Sequence, residues 1–304
     1  MAEHEPIQSK HVSVLLHESI DNLDLKEGEI FLDGTLGGGG HSALVAERFH
    51  GSIEIIGLDR DPEAIKRSGE RLRTLSKNVY FKNESFKDIE KVLESLGIKK
   101  VNSILLDLGI SSDQLDAEGR GFSFQRDEQL QMTMSGKDDG FTAETILNTF
   151  DQPSLELILR GFGEEKFAWR IAKEIIKRRE IKEFKTTFEL VEAVRAATPA
   201  VYHHGKLHPA TRTFQALRIA TNAELSTLES GLENGFKCLA IGGRFAVISF
   251  HSLEDRIVKN YFRDLIHAGN AEPITKKPII PSEEEVSMNP RSRSAKLRII
   301  KKLA

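Results

Sequence analysis

The chain of 304 residues holds one cysteine, Cys238. That excludes an internal disulfide framework and fits a reducing compartment. Nor does any stretch approach the ~20 apolar residues that a membrane-spanning helix needs. The opening MAEHEPIQSK is polar, with no apolar segment behind a basic start. These absences predict a cytoplasmic protein with no membrane partner. An excess of positive charge is missing as well: 43 Lys and Arg stand against 46 Asp and Glu, a formal net charge of −3. That argues against wholesale coating of nucleic acid but leaves a local basic face open. At 39% apolar and 29% charged residues the composition is that of an ordinary globular protein. There is no internal repeat and no low-complexity segment, and the length suggests one large or two smaller units of roughly 150 residues.

Against those absences stands a regular rhythm. GEIFLDGT (28–35) and IEIIGLDR (53–60) are short β-branched apolar runs, each ending at an acid, with the helical pattern HSALVAERF between them. This is β-loop-α-β, the start of a parallel sheet. DPEAIKRSGERLRTL predicts the next helix, with Asp61 as N-cap and Pro62 at its first position. NVYFKNESF and VNSILLDLGISS read as the third and fourth strands. From Gln114 to about Tyr202 no strand candidate appears, only the helical stretches TAETILNTF, PSLELILRGF, EKFAWRIAKEIIKRR and TFELVEAVRAAT. The alternation resumes with one long helix over 211–240, a strand at GGRFAVISF, the helix SLEDRIVKNYFRDLI, and a terminal hairpin of PITKKPII with SAKLRIIKKL. The fold class expected is α/β, a doubly wound core (1–113 and 203–304) interrupted by a helical insertion (114–202).

In such sheets ligands sit at the carboxyl ends of the strands, where strand order reverses. The loop LDGTLGGGGH after the first strand is in that place. A phosphate loop would need Lys after its last glycine, and His41 stands there instead. A dinucleotide fingerprint is matched only in part, because its third glycine falls on Ser42. Beside the alternative of a glycine-rich turn without a ligand, the third ligand class for such a loop is S-adenosylmethionine, which fits the pattern better. Its small zwitterionic end suits bare backbone, and Asp59 after the second strand can accept from a ribose diol.

The blocks HVSVLLHESI, DGTLGGGGHS, LDLGISSDQLD, RGFSF, GEE with KFAWRIA, HPATRTFQALRI, NAEL, SFHSLEDRIVK and NPRSRSAKLRI follow one another through nearly the whole chain. In these the sequence resembles the bacterial 16S ribosomal RNA cytosine-N4 methyltransferase family, which uses S-adenosyl-L-methionine on a cytidine of the decoding centre. The resemblance implies a Rossmann-like methyltransferase core with an inserted helical domain for substrate recognition. Its partner would be 16S rRNA in the small ribosomal subunit, and a homodimer is left open. It places cofactor contacts at Gly39, Gly40, His41, Asp59, Phe86, Asp107 and Gln114. Asp59 suits the ribose, and Phe86 offers an apolar face to adenine or else packs in the core. Asp107 is left to serve the cofactor, the cytosine amine, or both.

The substrate candidates are His11, Phe124, His208, Arg212, Ser249 and His251. Phe122 and Phe124 would line a base pocket or pin the insertion. Arg212 and Arg218, six apart, fall on different helical faces, so at most one need meet RNA. Phosphate contacts are expected from the basic stretches 166–185 and 291–302. SFHSLEDR lacks the G-x-S-x-G of a hydrolase elbow. His203, His204 and His208 lack a cysteine or His-Glu partner, so no metal is expected. One departure stands out: in QLQMTMSG, Gln131 and Thr133 occupy positions where the family has Asp and Arg. The rival reading is an rRNA-binding assembly factor without turnover.

Overall fold

The computed structural model describes residues 13–111, 114–115, 119–136, 140–205 and 207–304. They divide into two compact units, one within Met1–Asp113 and Leu225–Ala304 and the other within Gln114–Glu224.

The first unit begins with α1 (Leu16–Leu23), then β1 (Ile30–Asp33), α2 (Gly40–Phe49), β2 (Glu54–Leu58), α3 (Pro62–Leu75), β3 (Val79–Lys82), α4 (Ile89–Ser95) and β4 (Val101–Asp107). The Asp61 side chain accepts from Glu63 N–H and Pro62 opens α3, as expected. β1, β2, β3 and β4 are parallel, with β1 between β2 and β4, so strand order reverses at β1. Leu32, Ile56, Leu106 and Phe245 bury toward one face of the sheet. Phe31, Ile55, Leu105 and Ala246 bury toward the other. Alternate residues thus feed opposite cores, which is what a sheet covered on both faces requires.

The helical unit holds α5 (Ala143–Thr149), α6 (Gln152–Gly163), α7 (Ala168–Arg179), α8 (Thr187–Ala197) and α9 (Thr211–Asn222). Each stretch expected to be helical is so. A capping box of Thr186 and Glu189 starts α8. Helix α6 packs on both α7 and α9. Gly163 permits the approach to α9, since a Cβ there would lie 2.5 Å from Arg212 O. For that reason α9 belongs with the helices, and the unit closes at Glu224 rather than at 202.

The single helix expected over 211–240 is two. Ala223 adopts φ 49°, ending α9, and α10 (Glu224–Cys238) starts afresh. β5 (Leu239–Ser249) begins earlier than expected and pairs parallel with β4 through a register shift near Val101. After α11 (Ser252–His267), β6 (Ala271–Pro273) and α12 (Glu283–Met288), β7 (Lys296–Lys302) inserts antiparallel between β5 and β6. Of the expected strand PITKKPII, Pro273 pairs with β7 as the end of β6, Ile274 N–H donates to Ile299 O, and Ile279 bridges Leu297. The sheet order is β3-β2-β1-β4-β5-β7-β6. Among the described residues no helix is long and apolar enough to cross a membrane.

Candidate active site

Parallel strands bring their carboxyl ends to one edge of the sheet. β1 ends there at Asp33, β2 is followed by Asp59, β4 ends at Asp107 and β5 at Ser249. Asp33 is 1% exposed. It accepts from Ser42 Oγ at 2.7 Å and from Thr35 N–H at 3.2 Å. Burial still pushes its carboxyl up to about 6, against the lowering effect of those two bonds.

The glycine loop folds over this edge. Gly37 and Gly39 take φ 48° and 69°, a region that disfavours side chains. Gly37 N–H donates to Asp59 Oδ2 at 2.7 Å, and Ser68 Oγ donates to Gly37 O. A Cβ on Gly40 would run into Ser13 Oγ, and one on Gly34 into Leu106. Part of the glycine content is therefore explained by the loop's own turn and packing, and not by a ligand alone.

Asp59 accepts from Gly37 N–H and, at 2.8 Å, from Asp61 N–H. His41 lies in the first turn of α2, 4% exposed. Its Nε2 faces the Val14 carbonyl at 3.2 Å, so that nitrogen carries the proton. Its Nδ1 faces Asp107 Oδ2 at 4.0 Å. Asp107 N–H donates to Thr35 Oγ1 at 2.6 Å. Its Oδ1 is buried with no hydrogen-bond partner among the described residues. Burial first, and then the Asp33 and Glu254 charges, raise the Asp107 carboxyl well above its ordinary range.

Glu254, 3% exposed in the first turn of α11, accepts on Oε2 from Phe250 and His251 N–H, while His251 Nδ1 accepts from Glu254 N–H. His251 is thus the N-cap of α11. Neither Asp33 nor Glu254 was a sequence candidate. Their signals were present: the acid closing the first strand, and an acid three residues after a helix cap. Ser249 is buried, its Oγ 3.5 Å from Lys296 O. Phe86, partly buried, packs its ring against Gly231 of α10, where a Cβ would lie 2.3 Å from Phe86 Cδ2.

The other candidates lie in the helical unit. Gln114 is buried there, with Nε2 at 3.5 Å from Met134 O. Phe124 stacks on His208, centroids 4.4 Å apart and planes within 8°, with Phe214 edge-on. Burial, then the Arg195 and His203 charges, lower the His208 pKa. Arg212 donates to Glu164 O at the end of α6, and Arg218 makes a two-pronged pair with Glu224 at 2.8 Å per bond. Both arginines thus have partners within the protein. In the QLQMTMSG segment, Asn222 donates to Met132 O and accepts from Met134 N–H, while Arg120 donates to Thr133 O and Met134 O. His11 lies outside the described residues.

The strand order with an antiparallel seventh strand is that of a class I S-adenosylmethionine-dependent methyltransferase. The Asp107 oxygen that has no hydrogen-bond partner among the described residues and the Asp59 carboxylate, both beside the loop after β1, fit a cationic ligand carrying a ribose. The chain belongs to the MraW methylase family, whose model matches residues 8–303. It is 49% identical over 290 residues to a protein of Sulfurihydrogenibium sp. named Ribosomal RNA small subunit methyltransferase H, covering 95% of this chain and 98% of that one. A protein of the same name from Geotalea daltonii is 46% identical over 309 residues, covering 97% and 99%. Among solved structures, an rRNA methylase from Streptococcus thermophilus aligns over 96% of this chain and 99% of its own, at 11% identity and TM-score 0.47.

Proposed function

We propose that the protein transfers the methyl group of S-adenosylmethionine to the N4 amine of a cytidine in the decoding region of 16S rRNA, with the assembled small subunit as substrate. The observation that carries the chemistry is Asp107, an acid closing β4 with one buried oxygen that has no partner among the described residues. The ribosomal target is supported by the names of the relatives and by the block-by-block resemblance of the sequence.

The cofactor supplies an electrophilic methyl on a positively charged sulfonium. Asp59 holds the ribose side, and the backbone of Gly39 and Gly40 with His41 frames the loop. The cytosine amine is a weak nucleophile because its lone pair is delocalised into the ring. Asp107 Oδ1 accepts a hydrogen bond from an N4 proton, turns that lone pair toward the methyl, and takes the proton as the N–CH3 bond forms and the S–CH3 bond breaks, leaving neutral S-adenosylhomocysteine. A cation beside Asp107 favours its carboxylate form, offsetting the burial that raises it. Holding two reactants in line is itself worth up to ~7–11 kcal/mol. Within the helical unit, Phe124 and His208 form an aromatic pair suited to an unstacked base. The unit as a whole offers a surface able to read a folded particle.

The test uses labelled S-adenosylmethionine with small subunits from a strain lacking the protein, followed by nucleoside mass spectrometry. Label in N4-methylcytidine is expected. Label in another nucleoside would reassign the target. Cofactor binding without any label would favour an assembly factor that does not turn over.

A further inference from the structure

The cations near α7 sort into two sets. Arg178 pairs with Glu174, and Arg179 donates to the Leu147 and Phe150 carbonyls, so both are engaged inside the helical unit. Arg170, Lys173 and Lys177 stand three and four residues apart. That puts them within about 60° of one another around the helix, and Lys166 lies in the turn just before α7, four residues before Arg170. All four are exposed. Among the described residues none of them pairs with a carboxylate. Two lie over aromatic rings: Arg170 is 5.8 Å from the Phe167 centroid and Lys173 is 5.1 Å from that of Trp169. Trp169 is the single tryptophan of the chain and is 49% exposed.

A row of like charges at this spacing disfavours a helix by itself. Other cations of this unit have acids close by, as Arg160 and Arg178 in helices have Glu156 and Glu174, and Lys182 after α7 has Glu189. The exposed row therefore differs from an ordinary solvated face. A basic helix with an apolar side is also what a membrane surface attracts, but Ala168, Ile171, Ala172 and Ile175 on the far side of α7 are buried. The surface left to a partner is cationic and aromatic.

We propose that Lys166, Arg170, Lys173 and Lys177 bind the phosphates of a single-stranded RNA segment while one of its bases stacks on Trp169. Cations that track a backbone beside an aromatic platform are how unpaired strands are held, and a duplex offers no free base face. The inference rests on the ribosomal RNA reading above and adds which surface takes the strand and in what form.

The test titrates the full chain with an unstructured oligoribonucleotide at several salt concentrations. Fluorescence anisotropy and the emission of Trp169 are followed together. Emission should be quenched with the same midpoint as the anisotropy change. The combined variant K166Q/R170Q/K173Q/K177Q should flatten the slope of log K against log salt by about three, for four contacts on a single strand. Trp169→Ala should weaken single-strand binding by roughly 10-fold and leave binding to a perfect duplex unchanged. All the substituted side chains are exposed, and unchanged circular dichroism confirms the fold. Unaltered emission at saturation, an unaltered slope in the combined variant, or no wild-type binding at any salt overturns the proposal. The same preparations are assayed for methyl transfer to small subunits. Transfer with an unaltered slope overturns this surface alone. Quenching and slope as expected, without transfer to any cytidine, overturns the methylation reading and leaves the surface standing.

Discussion

Gly37 N–H donates to Asp59 Oδ2 at 2.7 Å, tying the loop after β1 to the end of β2 across 22 positions of sequence. The acid that is to hold the ribose also sets the loop that frames the rest of the cofactor. Asp59→Ala removes both functions and leaves the Gly37 and Asp61 N–H groups without that acceptor. A hydrogen bond to a charged group is worth ~1.5–3 kcal/mol, so affinity for S-adenosylmethionine should fall roughly 10- to 100-fold by calorimetry. Asp59→Asn keeps one acceptor oxygen and should fall between. Equal affinity of all three proteins would remove Asp59 from the site.

Asp107 has the opposite signature, an oxygen with nothing to accept from among the described residues. Asp107→Ala should lower single-turnover methyl transfer by about 100- to 1,000-fold, the usual effect of removing one hydrogen-bonding group aimed at a transition state. RNA binding in a filter assay should be unchanged. Asp107→Asn retains an acceptor and should lose less. If Asp107→Ala instead abolishes binding of the RNA itself, the residue acts before the chemistry.

Gly231 and Phe86 show a packing dependence. A Cβ at Gly231 would lie 2.3 Å from Phe86 Cδ2 and 2.6 Å from Cε2, and the ring has α10 behind it. Gly231→Ala should destabilise the chain by ~1–3 kcal/mol in urea unfolding through overpacking. In the Phe86→Ala background the same substitution should cost much less, because the clash is gone. Additive costs would show that the ring does not occupy that place in solution.

These relationships differ in how far the sequence disclosed them. The strand ends at Asp33, Asp59 and Asp107 were legible, because β-branched runs closing on an acid mark both a strand and its carboxyl end. The antiparallel place of β7 was not, since nothing local in KLRIIKK states which neighbour it takes. The break at Ala223 was hidden for a similar reason. Alanine favours helix, and its left-handed conformation is imposed by tertiary structure: Asn222 bonds Met132 and Met134, and Arg218 grips Glu224. Those long-range bonds also hold the segment in which Gln131 and Thr133 depart from the family. The glycine loop was read for its ligand, while the packing of Gly40 on Ser13 and Gly34 on Leu106 needed three dimensions.

Asp33 gives the chain a dependence on pH whose sign follows from burial. Its folded carboxyl is pushed up to about 6 from an ordinary 3.8. Between those values the folded chain keeps a proton that the unfolded chain releases, so the stability from this group is full below the lower value. It is lost as pH rises through about 6. A shift of about two units corresponds to roughly 3 kcal/mol, and the raised Asp107 carboxyl acts in the same direction. Asp33→Asn keeps an amide oxygen for Thr35 N–H and turns its NH2 toward Ser42 Oγ, which can accept, but it cannot ionise. Urea unfolding at pH 4.5 and 7.5 should therefore show the wild type losing more stability than Asp33→Asn as pH rises, by up to about 2 kcal/mol. Parallel losses in the two proteins would mean that Asp33 is already ionised in the folded state and that water or a cation reaches it there.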